Sequence, residues 1–204
     1  GLGVGAMKEN QTVNYYNQWA ERYCSETLHV DMSFCRKKFL SYLGTKGKIL
    51  DAGCGCGRDS RYFLEQGYQV EAFDASEEMC KKAGRWLGQE VKCMEFSKIT
   101  YLRAFDGVWA CASLLHVPKR KLPEVLERLY LALREPGILY ASFKKGDSER
   151  CFGGRHFSDF MEIQLRDLFE REKLFRVEEC FETYDVRPGR ETEVWLNVIA
   201  KIRR

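Results

Sequence analysis

Lys48-Ile-Leu-Asp-Ala-Gly-Cys-Gly-Cys-Gly-Arg-Asp59 is the stretch that decides the fold of this 204-residue chain. Ile49 and Leu50 lie between Gly47 and Gly53, which reads as a short buried strand. Gly53, Gly55 and Gly57 then alternate, and the periodic segment Arg61-Tyr-Phe-Leu64 predicts a helix behind them. Strand, glycine turn and helix bring backbone N–H groups up to a polar ligand, and a side chain in the turn would block that approach. The spacing departs from the dinucleotide fingerprint G-x-G-x-x-G. Counted from Gly53 the third glycine falls on Arg58; counted from Gly55 it falls on Ser60. Asp51 ends the strand, and an acid there repels a pyrophosphate and attracts an ammonium group.

Asp51-x-Gly-x-Gly-x-Gly57 resembles motif I of the class I S-adenosylmethionine (SAM)-dependent methyltransferases. The next predicted strand, Gln69-Val-Glu-Ala-Phe-Asp74, ends in an acid about 20 residues beyond the turn, where a carboxylate accepts ribose hydroxyls. Asp74-Ala-Ser-Glu-Glu-Met79 is similar to the family's strand-2 end, helix cap and adenine-contacting methionine. The resemblance covers roughly residues 11–202. It implies SAM as cofactor and a three-layer α/β/α fold, with a seven-stranded, mostly parallel sheet ending in an antiparallel hairpin. It also implies cofactor contacts from Tyr16, Tyr23, Asp51, Gly53, Gly55, Gly57, Arg58, Asp74, Ala75, Met79, Glu95, Phe96 and Cys111.

Length and composition fit one folded domain spanning residues 1–204, with 45% hydrophobic and 13% aromatic residues. Gly1 to Ala6 read as a cloning remnant, with Met7 as the native start, and residues 8–43 as an N-terminal helical lid. The longest apolar run, Val108 to Leu115, is too short for a bilayer, and no signal-peptide pattern opens the chain. The nine cysteines are odd in number and scattered, which predicts reduced thiols and a cytoplasmic location. A net charge of +3 gives no reason to invoke nucleic acid. Monomer and homodimer both stay open.

Along the chain, residues 11–24 predict a helix capped by Thr12, with Tyr16, Trp19, Ala20 and Tyr23 on one face. That stripe packs on the core or, as the resemblance implies, lies over the cofactor. Further helices are expected at 31–43, 58–66, 76–87, 119–134 and 158–170, the last capped by Ser158. Strands are expected at 91–95, 105–111 and 138–143. Lys144 to Phe157 reads as a polar loop. Phe175 to Val186 and Val194 to Ile202 read as an antiparallel pair, because no crossover helix separates them.

The chemistry expected is methyl transfer from SAM to a small-molecule acceptor, which calls for orientation rather than a protein nucleophile. His116, after the fourth strand, is a candidate general base, or else a residue that fixes its loop. Arg150 and Arg155 face an anionic acceptor or are simply solvated. Cys54 and Cys56 lack a second ligand pair, so no metal site is expected. Two rivals stay open: a non-catalytic SAM-binding module and a nicotinamide-dependent oxidoreductase. Within the family the chain looks most like small methyltransferase-domain proteins of the tellurite-resistance type.

Overall fold

The computed structural model describes residues 4–185 and 187–204. Its centre is a seven-stranded sheet ordered β3-β2-β1-β4-β5-β9-β8. The strands are β1 (Lys48–Ala52), β2 (Gln69–Asp74), β3 (Lys92–Cys93), β4 (Phe105–Ala110), β5 (Leu133–Lys144), β8 (Phe175–Tyr184) and β9 (Val194–Ile202). A separate hairpin pairs β6 (Glu149–Phe152) with β7 (Arg155–Ser158). β1 pairs in parallel with both β2 and β4, so the chain reverses its winding direction there. A crevice opens at the carboxyl ends of strands at such a switch point. β9 runs antiparallel to β5 and β8, as the missing crossover requires.

Alternation along the central strands builds two cores. Ile49, Trp109, Tyr140 and Ile199 point to one face, where Phe39 of α2 (Ser33–Leu40) and Phe63 of α3 (Arg58–Glu65) cover them. Leu50, Val108, Leu139 and Val198 point to the other face. There they meet Leu122, Val125, Leu126 and Leu129 of α5 (Leu122–Ala132) and Leu165 and Phe169 of α6 (Glu162–Glu170). Trp109 stacks on Tyr140 with ring centroids 4.1 Å apart, and its Nε1–H donates to Asp59 Oδ2 at 2.9 Å. That bond satisfies the one polar atom of a fully buried indole and anchors the start of α3 from below. α4 (Glu77–Leu87) starts on Ser76, whose hydroxyl accepts from Met79 N–H, and ends on Gly88 in the left-handed conformation.

Several expectations are corrected. The first helix, α1 (Val4–Thr27), is longer than predicted and kinked at Trp19. Thr12 therefore sits inside it, where its hydroxyl accepts the His156 N–H at 2.9 Å rather than capping a terminus. Of the expected cloning remnant, Gly1 to Gly3 lie outside the described residues, and Val4 to Ala6 belong to α1. Strand 3 shrinks to two exposed residues at the sheet edge. The polar loop 144–157 contains the β6–β7 hairpin, turned by Gly153 and Gly154, both at positive φ. Ser158 does not cap α6. It ends β7 and donates its hydroxyl to the Val117 carbonyl, so the helix begins four residues later. The end of the penultimate strand at Val186 lies outside the described residues.

The expectation of nine thiols is also overturned. Cys24 and Cys56 form a disulfide, and the other seven cysteines are free. A sequence separation of 32 hid the pairing, because only the tertiary fold lays the end of α1 across the glycine turn. The cytoplasmic expectation loses part of its premise with that bond. Among the described residues no helix is long and apolar enough to cross a membrane.

Candidate active site

A cavity of about 390 Å³ opens at the carboxyl ends of β1, β2, β4 and β5, under α1. Its β1 side is the glycine turn. Gly53 and Gly55 line the cavity; Gly57 does not. At Gly55, with φ +54, a Cβ would meet only the Tyr23 ring edge at 4.0 Å, so the missing side chain leaves room for a ligand. At Gly57 a Cβ would press on Leu87 and Ala83 at 3.1 to 3.4 Å. Gly57 thus lets α3 pack against α4.

Two acids define the cofactor side. Asp74 ends β2, where its Oδ2 accepts Gly55 N–H at 2.8 Å and its Oδ1 accepts Ser76 N–H at 2.9 Å. Its carboxylate stitches the glycine turn to the start of α4, and burial pushes its pKa up. Asp51 is 2% exposed and accepts the Ser60 hydroxyl at 2.6 Å. Burial, with the Asp59 charge adding, pushes Asp51 up to about 8. Asp59 differs: burial alone would raise it, but the Arg58 guanidinium outweighs that and holds it below the usual carboxylate range. Arg58 binds both Asp59 oxygens, at 3.1 and 3.0 Å, and donates to the Thr27 carbonyl at 3.1 Å, tying the end of α1 to α3.

Ala75, Met79, Glu95 and Phe96 line the far wall. Glu95 and Phe96 stand at a single 3-10 turn after β3 rather than on the strand, and Phe96 is held edge-on to Phe73. Met79 Sδ lies 3.7 Å from Cys24 Sγ and 4.0 Å from Cys56 Sγ, so the disulfide backs the methionine. Cys111, just past β4, also lines the cavity, and burial pushes its thiol up to about 12.

Tyr16 and Tyr23 hang from α1 into the cavity with ring centroids 5.1 Å apart. Tyr16 Oη is 2.8 Å from His116 Nε2, and His116 Nδ1 is 2.8 Å from the His156 carbonyl oxygen. A carbonyl only accepts, so Nδ1 carries the proton and Nε2 accepts from the Tyr16 hydroxyl. Burial pulls His116 down to about 3 despite the hydrogen bond to His156. The imidazole is neutral, and its free lone pair is already engaged. The arrangement fits the loop-fixing alternative for His116 rather than a direct base.

The opposite side is built from β5, β7 and the segment around β9's start. Tyr140, Ser142 and Lys144 of β5, Arg155 and Phe157 of β7, and Asp185, Arg187, Arg190, Trp195 and Asn197 all line it. Of the two arginines expected there, only Arg155 arrives. Arg150 does not line the cavity: its Nε donates to Asp159 Oδ2 at 2.7 Å. The sequence reading missed Lys144, Arg190, Trp195 and Asn197. The cations at 187 and 190 flanking Pro188-Gly189 were the available signal. Among the described residues no group of three or more His, Cys, Asp or Glu is placed to hold a metal ion.

The sheet order and the cavity at its switch point define a doubly wound, Rossmann-like α/β scaffold. Residues 49–137 match the family described as a methyltransferase domain. YqeM of Bacillus subtilis, named a methyltransferase, is 29% identical over 140 residues, covering 63% of this chain and 57% of its own length. A malonyl-[acyl-carrier protein] O-methyltransferase of Enterobacter lignolyticus is 29% identical over 107 residues, 50% of this chain and 40% of the relative. The chain thus spans about half the length of these curated relatives. The Burkholderia thailandensis 1,6-didemethyltoxoflavin-N1-methyltransferase, solved with that compound and S-adenosylhomocysteine, superposes with a TM-score of 0.80 at 25% identity. The match covers 100% of this chain and 92% of that one. Residues 49–137 thus resemble a methyltransferase domain, and the whole chain shares the Rossmann-like α/β fold of the Burkholderia enzyme.

Proposed function

We propose that this chain transfers the methyl group of SAM to a small-molecule acceptor and releases S-adenosylhomocysteine (SAH). The observation that carries the reading is that Asp51, the open turn at Gly55 and Asp74 face one cavity, which continues into a second, aromatic and cationic half. The donor set fits the cofactor. Asp51 suits an ammonium end, and the Asp74 carboxylate keeps lone pairs for ribose hydroxyls. Met79 and Phe96 offer apolar faces to a base. The Burkholderia neighbour's bound 1,6-didemethyltoxoflavin supports a small acceptor.

SAM, when bound, supplies a methyl group already made electrophilic by its sulfonium. The chain then has to hold, align and dry the reactants. Alignment of this kind is worth roughly 7–11 kcal/mol of barrier. Tyr16 and Tyr23 close the cavity from above, and the His116 bond fixes the Tyr16 ring so that its oxygen faces the acceptor half. With His116 neutral and engaged, the acceptor arrives as a ready nucleophile or loses its proton to water.

Calorimetry with SAM, SAH, NADH and NADPH tests the cofactor. Binding of SAM and SAH without the nicotinamides is expected, and the reverse would end the proposal. Mass detection of a methylated product from a metabolite mixture separates an enzyme from a SAM-binding module.

A further inference from the structure

The cations of the cavity are unequally served. Arg58 is neutralised by Asp59, and Arg187 by Asp185 at 2.7 Å. Among the described residues no carboxylate pairs with Arg155. Its Nε is buried without a hydrogen-bond partner, and its Nη1 reaches only the Tyr16 oxygen, at 3.5 Å. Its guanidinium is instead covered by rings, 4.6 Å from the Tyr15 centroid and 5.1 Å from that of Phe157.

Lys144 approaches the same Phe157 ring at 4.6 Å and the Trp195 ring at 5.7 Å. It forms an ion pair with Glu193 at 3.7 Å, which is too long for a hydrogen bond, so its donors stay available. Burial pulls the Lys144 pKa down; Glu193 opposes this, while Arg150, Arg155 and Arg190 repel the charge further. The acids of the cofactor half do not compensate. Asp59 is taken by Arg58, and Asp51 and Asp74 stand at the β1 and β2 ends. A buried guanidinium Nε with an unmade bond is costly, and a planar carboxylate is the group that matches its fork.

We infer that the methyl acceptor is an aromatic organic acid whose carboxylate docks between Arg155 and Lys144, its ring lying along Tyr16, Phe157 and Trp195. This assignment rests on the methyltransferase reading and names the class of its acceptor. Arg190, half-buried at the mouth, adds attraction on entry.

The test uses matched acids and amides: benzoate against benzamide, salicylate against salicylamide, and indole-2-carboxylate against its amide. Each is titrated calorimetrically into the whole protein, with and without saturating SAH. At least one acid is expected to bind 10- to 100-fold tighter than its amide, the range of one or two charge-assisted bonds. Arg155→Met and Lys144→Met should each remove most of that preference while SAH affinity changes less than twofold. Arg155→Lys, which keeps the charge, should retain part of it and controls for folding together with the melting curve. Amides binding as well as acids, no acid binding at all, or an undiminished preference in a folded Arg155→Met protein would each overturn the assignment. Failure of SAH to bind is read separately and strikes the methyltransferase proposal instead.

Discussion

Replacing Asp51 by Asn should stabilise the ligand-free protein. Asp51 is almost fully buried, and burial together with Asp59 moves its pKa from 3.8 to about 8. The folded state therefore binds more protons than the unfolded state between those values. Stability falls as pH rises through that window and is flat above it. At about 1.4 kcal/mol per unit, the full shift sets a ceiling of about 6 kcal/mol. Water in the cavity and the coupling to Asp59 reduce this, and about half is expected to be realised. Asn keeps an oxygen to accept the Ser60 hydroxyl and carries no charge. At about 2–4 °C per kcal/mol for a chain of this size, the gain is roughly 6–12 °C in melting temperature. Differential scanning calorimetry at steps from pH 4 to 9 should show a variant advantage that is near zero at pH 4 and reaches its plateau near pH 8. In saturating SAH the advantage should shrink, because the wild-type acid then gains an ammonium partner. A variant that melts at or below wild type at every pH refutes the reasoning: Asp51 would not be a strained charge.

Asp74→Asn should weaken SAH binding by about 10- to 100-fold in calorimetry. It should also lower the melting temperature by a few degrees, because the carboxylate holds the Gly55 and Ser76 N–H groups; unchanged affinity would remove its ribose role. His116 should stay neutral from pH 8 down to about 4 in an NMR titration. Its depressed pKa means that its share of stability is full above pH 6.5 and is lost as pH falls toward 3; a titration near 6.5 would contradict its burial and the bond it accepts from Tyr16. Reducing Cys24–Cys56, which closes a loop of separation 32, should cost about 3–4 kcal/mol on the chain-entropy account. Hydrogen exchange should then quicken first in α1, and a melting curve insensitive to reductant would show that the clasp is not stabilising.

The cofactor side was legible because its parts are local. Asp51, the glycines and Asp74 fall within one β1–α3–β2 unit, where strand and turn chemistry constrain each residue almost independently of the rest. Even there, motif spacing could not separate Gly55, which leaves room for a ligand, from Gly57, which leaves room for Leu87. The acceptor side was mostly illegible because it is assembled from β5, β7 and the 185–197 segment, none of which announces its neighbours. Arg150 and Arg155 looked alike in the sequence. In the β6–β7 hairpin both share the Phe157 face, Arg150 paired opposite Phe157 and Arg155 two residues before it; the Asp159 carboxylate takes Arg150 and leaves Arg155 to the cavity. The Gly153-Gly154 pair was a hairpin signal inside what read as a polar loop. The end of α1 and the glycine turn carry cysteines that nothing local connects.

The sulfur atoms around the cavity have a consequence for the protein's own durability. A methyl sulfonium is an alkylating agent, and Cys54, Cys56 and Cys111 all line its proposed berth. Only a thiolate attacks readily. Burial pushes Cys54 well above the ordinary thiol value and Cys111 up to about 12, and Cys56 is spent in its bond to Cys24. None of the three presents a thiolate at neutral pH, so the scaffold can store an electrophile beside its own cysteines without being alkylated by it. Intact-mass spectra after prolonged incubation with SAM should show no methyl adduct on the oxidised wild-type chain; an adduct mapped to Cys54 or Cys111 would mean that burial does not silence them.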